Sequence, residues 1–261
     1  MTQREEGIEH ALLQVISAER KCLVPYITGG FDGYLEAISA AAEAGADAIE
    51  IGIPFSDPVM DGPTIQEAND LVLSRGVSPL QIIDEVASLD VDVPLAVMTY
   101  YNVVYRFGLE RFASNLNEAE ISGVILPDLP LIEASPWIDA ATSNGRESIL
   151  LAAPTTTDLH LQRICEETRG FVYAVGLLGI TGARKELAES AKVIARRCKE
   201  MTEKPVLVGV GIGNPDQAME VSEVSDGCIV GSAIVQKLLD GGGPEGVGKL
   251  VSEFRSALDS H

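Results

Sequence analysis

Short apolar runs alternate with longer stretches of helical period along almost the whole chain. Residues 22–28, 48–53, 94–99, 123–126, 148–152, 171–175, 205–209 and 227–230 predict eight strands. Segments such as Ile149-Leu-Leu-Ala152 and Val206-Leu-Val208 are apolar at every position rather than at every second one, the pattern of strands covered on both faces. Between them, apolar positions three and four apart predict amphipathic helices, for example over 35–44, 80–89, 159–167, 187–199 and 216–224. Strand and helix in regular alternation argue for a parallel sheet rather than for separate helical and sheet regions. Eight such units predict an α/β fold of the (β/α)8 (TIM) barrel kind, with an extra N-terminal helix over 8–18 closing its bottom. An open doubly wound sheet is the other arrangement considered. It would want a GxGxxG turn after its first strand, where this chain reads Thr28-Gly-Gly-Phe31.

In a barrel, chemistry belongs to the C-terminal ends of the strands and the loops that follow them. The second strand breaks its own apolar pattern there: Glu50 stands between Ile49 and Ile51, and Asp61 follows in a loop held by Pro54, Pro58 and Pro63. A carboxyl inside a buried strand loses its hydration, and its pKa rises toward the range where it both gives and takes a proton. Asp61, flanked by Met60 and Gly62 in the loop, is expected to be solvated and ionised, giving two carboxyl groups with divided roles. A structural ion pair for Glu50 and an Asx-turn for Asp61 fit the same residues, and the residues alone leave both open. Tyr26 and Tyr100 fall near the ends of strands one and three, where they line a pocket or pack in the core.

Three glycine-bearing segments follow strands six, seven and eight: Gly179-Ile-Thr-Gly182, Gly209-Val-Gly-Ile-Gly213 and Gly231-Ser-Ala233. Glycine exposes backbone N–H groups and a helix start near Ser232 adds partial positive charge, so these segments predict a phosphate cradle without a basic side chain, with tight turns alone as the other reading of the same glycines. The segment 176–185 is long and glycine-rich and reads as a lid over the mouth, with Thr181 placed to reach Asp61 when it closes, or else as a passive connector.

Composition narrows the remaining choices. At 261 residues without a Gly/Ser/Pro-rich divider, one domain spanning 1–261 is expected. With 39 acidic against 19 basic residues, the net charge of −20 argues against a nucleic-acid partner. The start is polar and no apolar window is long enough to span a bilayer, which predicts a cytoplasmic protein without membrane attachment. Cysteines 22, 165, 198 and 228 form no CxxC pair, and His10, His160 and His261 have no ligand spacing, so neither a zinc site nor a disulfide framework is expected.

The run Glu50-Ile-Gly-Ile-Pro-Phe-Ser-Asp-Pro-x-x-Asp61-Gly-Pro-x-Ile-Gln66 resembles the signature of the tryptophan synthase alpha subunit family. Val24-Pro-Tyr-Ile-Thr28, residues 98–102, Pro127-Asp-Leu-Pro130, Ala153-Pro-Thr-Thr156 and the three glycine segments extend the likeness over about residues 20–240. The resemblance implies retro-aldol cleavage of indole-3-glycerol phosphate to indole and glyceraldehyde 3-phosphate. It further implies no cofactor in this chain, a beta subunit carrying pyridoxal phosphate that receives the indole, and an alpha2-beta2 tetramer. Carried over by position, Glu50 is the general acid/base and Asp61 accepts from the indole N–H. Tyr26, Tyr100, Ile125 and Tyr173 surround the ring, Thr181 belongs to the lid, and Gly182, Gly211, Gly231 and Ser232 hold the phosphate. Residues 55–58, Asn102 and 127–130 would face the beta subunit.

The chain departs from the family pattern in two places. Gly29-Gly-Phe-Asp-Gly33 lacks the usual acidic or tyrosine residue and proline, and Val175-Gly-Leu-Leu-Gly179 lacks a serine or arginine often seen ahead of the lid. A stand-alone lyase of the same substrate and a non-catalytic activator of a beta chain remain as alternatives. A barrel that synthesises indole-3-glycerol phosphate would want a lysine at a strand end, and no predicted strand core carries one.

Overall fold

The computed structural model describes residues 6–176, 184–209 and 211–260, with side chains from 189 onward in the second stretch. Eight parallel strands close into a barrel in chain order: β1 (Cys22–Thr28), β2 (Ile49–Gly52), β3 (Leu95–Met98), β4 (Gly123–Ile125), β5 (Glu147–Ala152), β6 (Val172–Ala174), β7 (Val206–Val208) and β8 (Gly227–Val230). The predicted eight-strand barrel is thus the fold; β1 and β8 have the predicted ends, and the other strands differ from them by a single residue at one or both ends.

Two apolar layers follow from the two-residue period of each strand. Leu23, Ile27, Ile49, Ile51, Val97, Val172, Val206, Val208 and Val230 point outward into the layer shared with the helices. Val24, Ala96, Ile125, Ile149, Phe171, Tyr173, Leu207 and Ile229 point inward and fill the barrel. A strand buried on both sides has no polar face to show, and this explains the unbroken apolar runs.

Helix α1 (Ile8–Ser17) plugs the bottom, with Ile8 and Leu12 fully buried among the interior side chains. Glu147, at the start of β5, accepts the N–H groups of Ile8 and Glu9 at 2.7 and 3.0 Å, so a carboxylate caps the positive end of the helix. The predicted closing helix is therefore present, shorter by one residue.

The outer ring holds α2 (Tyr34–Glu43), α3 (Pro63–Ser74), α4 (Pro79–Ala87), α5 (Tyr101–Phe107), α6 (Leu109–Glu118), α7 (Ser135–Ser143), α8 (Asp158–Glu167), α9 (Arg184–Lys199), α10 (Pro215–Ser222), α11 (Ser232–Leu239) and α12 (Gly243–Asp259). Pro63, Pro79 and Pro215 open their helices at the first position, where no N–H is needed and the ring pre-sets φ. Ser78 and Asn214 cap two of these helices through their side-chain oxygens. Among the described residues, no helix is long and apolar enough to cross a membrane.

Candidate active site

Glu50 is the inward-facing residue of β2, paired in register with Tyr26 of β1 on one side and Ala96 of β3 on the other. The small side chain of Ala96 leaves room at that level, and Glu50 is completely buried. Among the described residues, neither of its carboxyl oxygens has a hydrogen-bond partner. Among the described residues, the structural ion pair that the sequence left open is therefore not formed. Burial, reinforced by the nearby charge of Asp61, pushes the Glu50 pKa up to about 8.

Asp61 is less solvated than the sequence suggested. It is partly buried under the β2–α3 loop, and burial raises its pKa to about 6, against the lowering effect of hydrogen bonds from Tyr100 and Asn69. The Asn69 Nδ2 donates to Asp61 Oδ2 at 3.2 Å, and the Tyr100 hydroxyl also accepts the Met60 N–H at 3.1 Å. Phe55 stacks on Tyr100 with ring centroids 5.1 Å apart, which covers the loop from outside. The ordering of the two carboxyl groups survives: near neutrality Glu50 is mostly protonated and Asp61 mostly ionised. Tyr26, Tyr100 and Tyr173 are all raised by burial first and then by the carboxylates, so all three stay neutral phenols.

Two glycines make space for the rings. A Cβ on Gly52 would fall 1.8 Å from the Tyr26 hydroxyl, and one on Gly209 would fall 2.2 Å from the Tyr173 ring. Gly209 was grouped with the phosphate-binding glycines on sequence grounds; its observed neighbour is the tyrosine of the adjoining strand. Gly209→Ala is expected to push Tyr173 out of place, costing about 1–3 kcal/mol of stability together with most of the activity. Thermal melts and steady-state kinetics of the variant check both, and wild-type values would show that the ring is free to move.

Tyr26, Glu50, Asp61 and Tyr173 share one cavity of about 90 Å³ with Ile65, Met98, Ile212 and Ile229. Gly211, Ile212 and Ser232 belong both to this cavity and to a neighbouring one of about 240 Å³ that also meets Gly213 and Ala233. The two form one elongated site with the carboxyl pair at its deep end. At the other end stands the N-terminus of α11, whose first N–H groups have no partner within the helix. Gly231 precedes it as N-cap without a side chain to occupy those donors, and Gly211 takes a left-handed φ of 75° facing them. Among the described residues, no lysine or arginine lines either cavity. An anion at this end is therefore met by backbone dipoles and the Ser232 hydroxyl.

Ile125 is buried among the interior side chains and lines neither cavity. Thr181 and Gly182, with most of the predicted lid, lie outside the described residues. Asn69 escaped the sequence reading. Its signal was positional: on the buried face of α3 beside Ala68 and Val72, a polar amide needs a partner.

A family model described as "Tryptophan synthase alpha chain" matches residues 12–253. The chain belongs to the tryptophan synthase alpha chain family. Among its relatives, the tryptophan synthase alpha chain of Streptomyces coelicolor is 42% identical over 267 aligned positions, which span 99% of this chain and 98% of that one. The alpha chain of Methanosarcina mazei is 44% identical over 84% of this chain and 82% of its own. The crystal structure of the alpha chain from Legionella pneumophila superposes with a TM-score of 0.87 at 31% identity, covering all of this chain and 98% of the other. The family is one of lyases in tryptophan biosynthesis that work with a beta chain. The Glu50–Gln66 run that carried the resemblance builds the deep end of the site, from β2 into α3.

Proposed function

We propose that this chain cleaves indole-3-glycerol phosphate into indole and glyceraldehyde 3-phosphate, using Glu50 and Asp61. The observation that carries the reading is an unpartnered, fully buried carboxyl beside an ionised one, at the deep end of a cavity whose far end is a helix N-terminus. The spacing suits a neutral ring bearing a phosphorylated chain. Protonated Glu50 gives its proton to C3 of the indole ring, and positive charge develops at the ring nitrogen. Asp61 accepts from that N–H and stabilises the charge. The Glu50 carboxylate then takes the proton of the glycerol hydroxyl, the C–C bond breaks toward the ring, and indole and the aldehyde leave with Glu50 protonated again. Tyr26, Tyr173, Met98 and Ile229 wall the ring, with Tyr100 acting through Asp61. Gly211, Gly231 and Ser232 hold the phosphate, joined in this reading by Gly182, and Thr181 closes over Asp61.

In the same reading the chain uses no cofactor of its own, and pyridoxal phosphate belongs to a beta partner in a cytoplasmic alpha2-beta2 tetramer. Val59, Tyr105 and Ile132 are exposed apolar residues on elements that follow β2, β3 and β4, the same end of the barrel as the site. They accompany the segments 55–58, Asn102 and 127–130 assigned to that contact. Indole release by the purified chain, measured alone and with a tryptophan synthase beta subunit, tests the proposal. Weak cleavage that rises with the beta chain supports it, strong cleavage alone favours a free-standing lyase, and none in either case leaves a non-catalytic activator.

A pH dependence follows. The productive form has Glu50 protonated and Asp61 ionised, so activity falls as pH drops through about 6 and again as it rises through about 8. The expected kcat/KM profile is a bell between those limbs, which belong to the pair as a coupled unit. The substrate phosphate also titrates near pH 6, so the comparison with Asp61→Asn separates its contribution. A profile still rising at pH 9 would remove Glu50 from the acid role.

A further inference from the structure

We infer that Asn69 is a positioning residue that holds Asp61 in its ionised, ring-facing state, so that the amide sets the acid edge of the enzyme's working range. The inference rests on the assignment of Asp61 as the carboxylate that meets the ring nitrogen. Asn69 lies on α3, eight residues beyond Asp61, on the buried helix face with Ala68 and Val72. It is 2% exposed, and among the described residues its Oδ1 has no hydrogen-bond partner. A buried polar atom without a partner costs about 1–3 kcal/mol, a cost that leucine at this position would not carry. Among the described residues, the one hydrogen bond given by the Asn69 side chain is the 3.2 Å contact from Nδ2 to Asp61 Oδ2.

The surroundings show why that contact has a large effect. The ionisable groups that interact with Asp61 are Glu50 from β2, Tyr26 from β1, Tyr100 after β3 and Tyr173 from β6. Among the described residues none of them is a cation, and no lysine or arginine lines the cavity. The negative form of Asp61 is therefore held by two neutral donors, the Tyr100 hydroxyl and the Asn69 amide, against the cost of burial. Tyr100 is tied at the same time to the Met60 N–H, which fixes its hydroxyl within the loop. Asn69 is anchored differently, on a helix rather than on the loop. It holds the Oδ2 oxygen of the carboxylate from the helix side. Removing the amide weakens the ionised form selectively, while the Glu50 side, which senses Asp61 only through charge, keeps its own limb.

The test uses Asn69→Leu, which keeps the bulk and removes the donor, and Asn69→Asp, which replaces the donor with a second carboxyl. Titration of the Asp61 side chain by carboxyl 13C NMR is followed without substrate, so the result stands whether or not the chain cleaves indole-3-glycerol phosphate. Alongside it, kcat and KM are measured from pH 5.5 to 9. The expected result is an upward move of the Asp61 titration in both variants, larger in Asn69→Asp. A move of about one pH unit lowers kcat/KM roughly fivefold at pH 6 and less than twofold at pH 7.5 from ionisation alone. In Asn69→Leu the basic limb stays in place and KM changes little, whereas in Asn69→Asp the charge of the added carboxyl carries that limb upward. Should Asn69→Leu fail to fold, Asn69→Asp decides alone. An Asp61 titration that stays at the wild-type position, with activity lost equally at every pH, would reduce Asn69 to packing and overturn the inference.

Discussion

Glu50→Gln is expected to abolish cleavage while making the protein more stable above neutral pH. Glutamine keeps the size and shape of the side chain and loses the proton that is passed to the ring and recovered from the hydroxyl. General acid–base catalysis contributes on the order of 10²–10⁴-fold at one step, and here one group serves two steps, so residual turnover should fall at or below the lower end of detection. Stability moves the other way because Glu50 has no partner for its charge. An unfolded glutamate ionises near 4.5, whereas the folded one holds its proton to about 8. Below the first value both states are protonated and no penalty exists. Between the two, the unfolded state sheds its proton and the folded state keeps it, so stability declines as pH rises. Above the second value the full penalty is reached, roughly 5 kcal/mol from the gap between the two values. The glutamine variant escapes it. Its gain over the wild type should be absent near pH 4, grow through the window and level off above pH 8. Denaturant titrations at pH 4, 6 and 8.5 read this directly. A variant no more stable than wild type at pH 8.5 would mean that Glu50 is solvated or paired in solution.

That opposition of activity and stability was legible in the sequence at Glu50, because a charged residue between Ile49 and Ile51 contradicts the strand that carries it. The barrel was legible for a related reason. Strands covered on both faces leave unbroken apolar runs, and their alternation with helices restricts the topology. Features set by contacts between distant segments were not legible. The solvation of Asp61 depends on Tyr100 and Phe55 closing over its loop, and neither is a local property of Met60-Asp-Gly62. Gly209 falls in a segment whose glycines suggested anion binding, yet its need for hydrogen in place of a side chain comes from Tyr173 on the next strand. Asn69 required that α3 be recognised first, and Pro63, read as a constraint on the loop, is in fact the first residue of that helix. The helix ends show the same limit on a smaller scale: Pro79 and Pro215 start their helices one residue before the predicted points because capping, rather than apolar period, decides the first turn.

Asp61→Asn should lower kcat by about 10²–10³-fold with little change in KM, and it should displace the basic limb of the remaining activity. Asparagine fits the space and still accepts a hydrogen bond through its oxygen. It carries no charge, so the positive charge that develops on the ring nitrogen loses the carboxylate beside it, while the Glu50 carboxylate formed by the proton transfer is committed to the glycerol hydroxyl of the second step. The loss therefore falls on the transition state rather than on binding, which the phosphate end of the site supplies independently. The second consequence comes from electrostatics between the two carboxyl groups. The charge of Asp61 is one of the two causes that raise Glu50, the other and larger being burial. Without it the Glu50 pKa falls, while remaining above the ordinary value because the burial is unchanged. The basic limb of kcat/KM should move below its wild-type position near pH 8, and the acid limb should retain only the contribution of the substrate phosphate. The direction is diagnostic. A purely structural loss at Asp61 would depress the whole profile and leave its limbs where they were, whereas coupling between the two groups requires the basic limb to move toward lower pH.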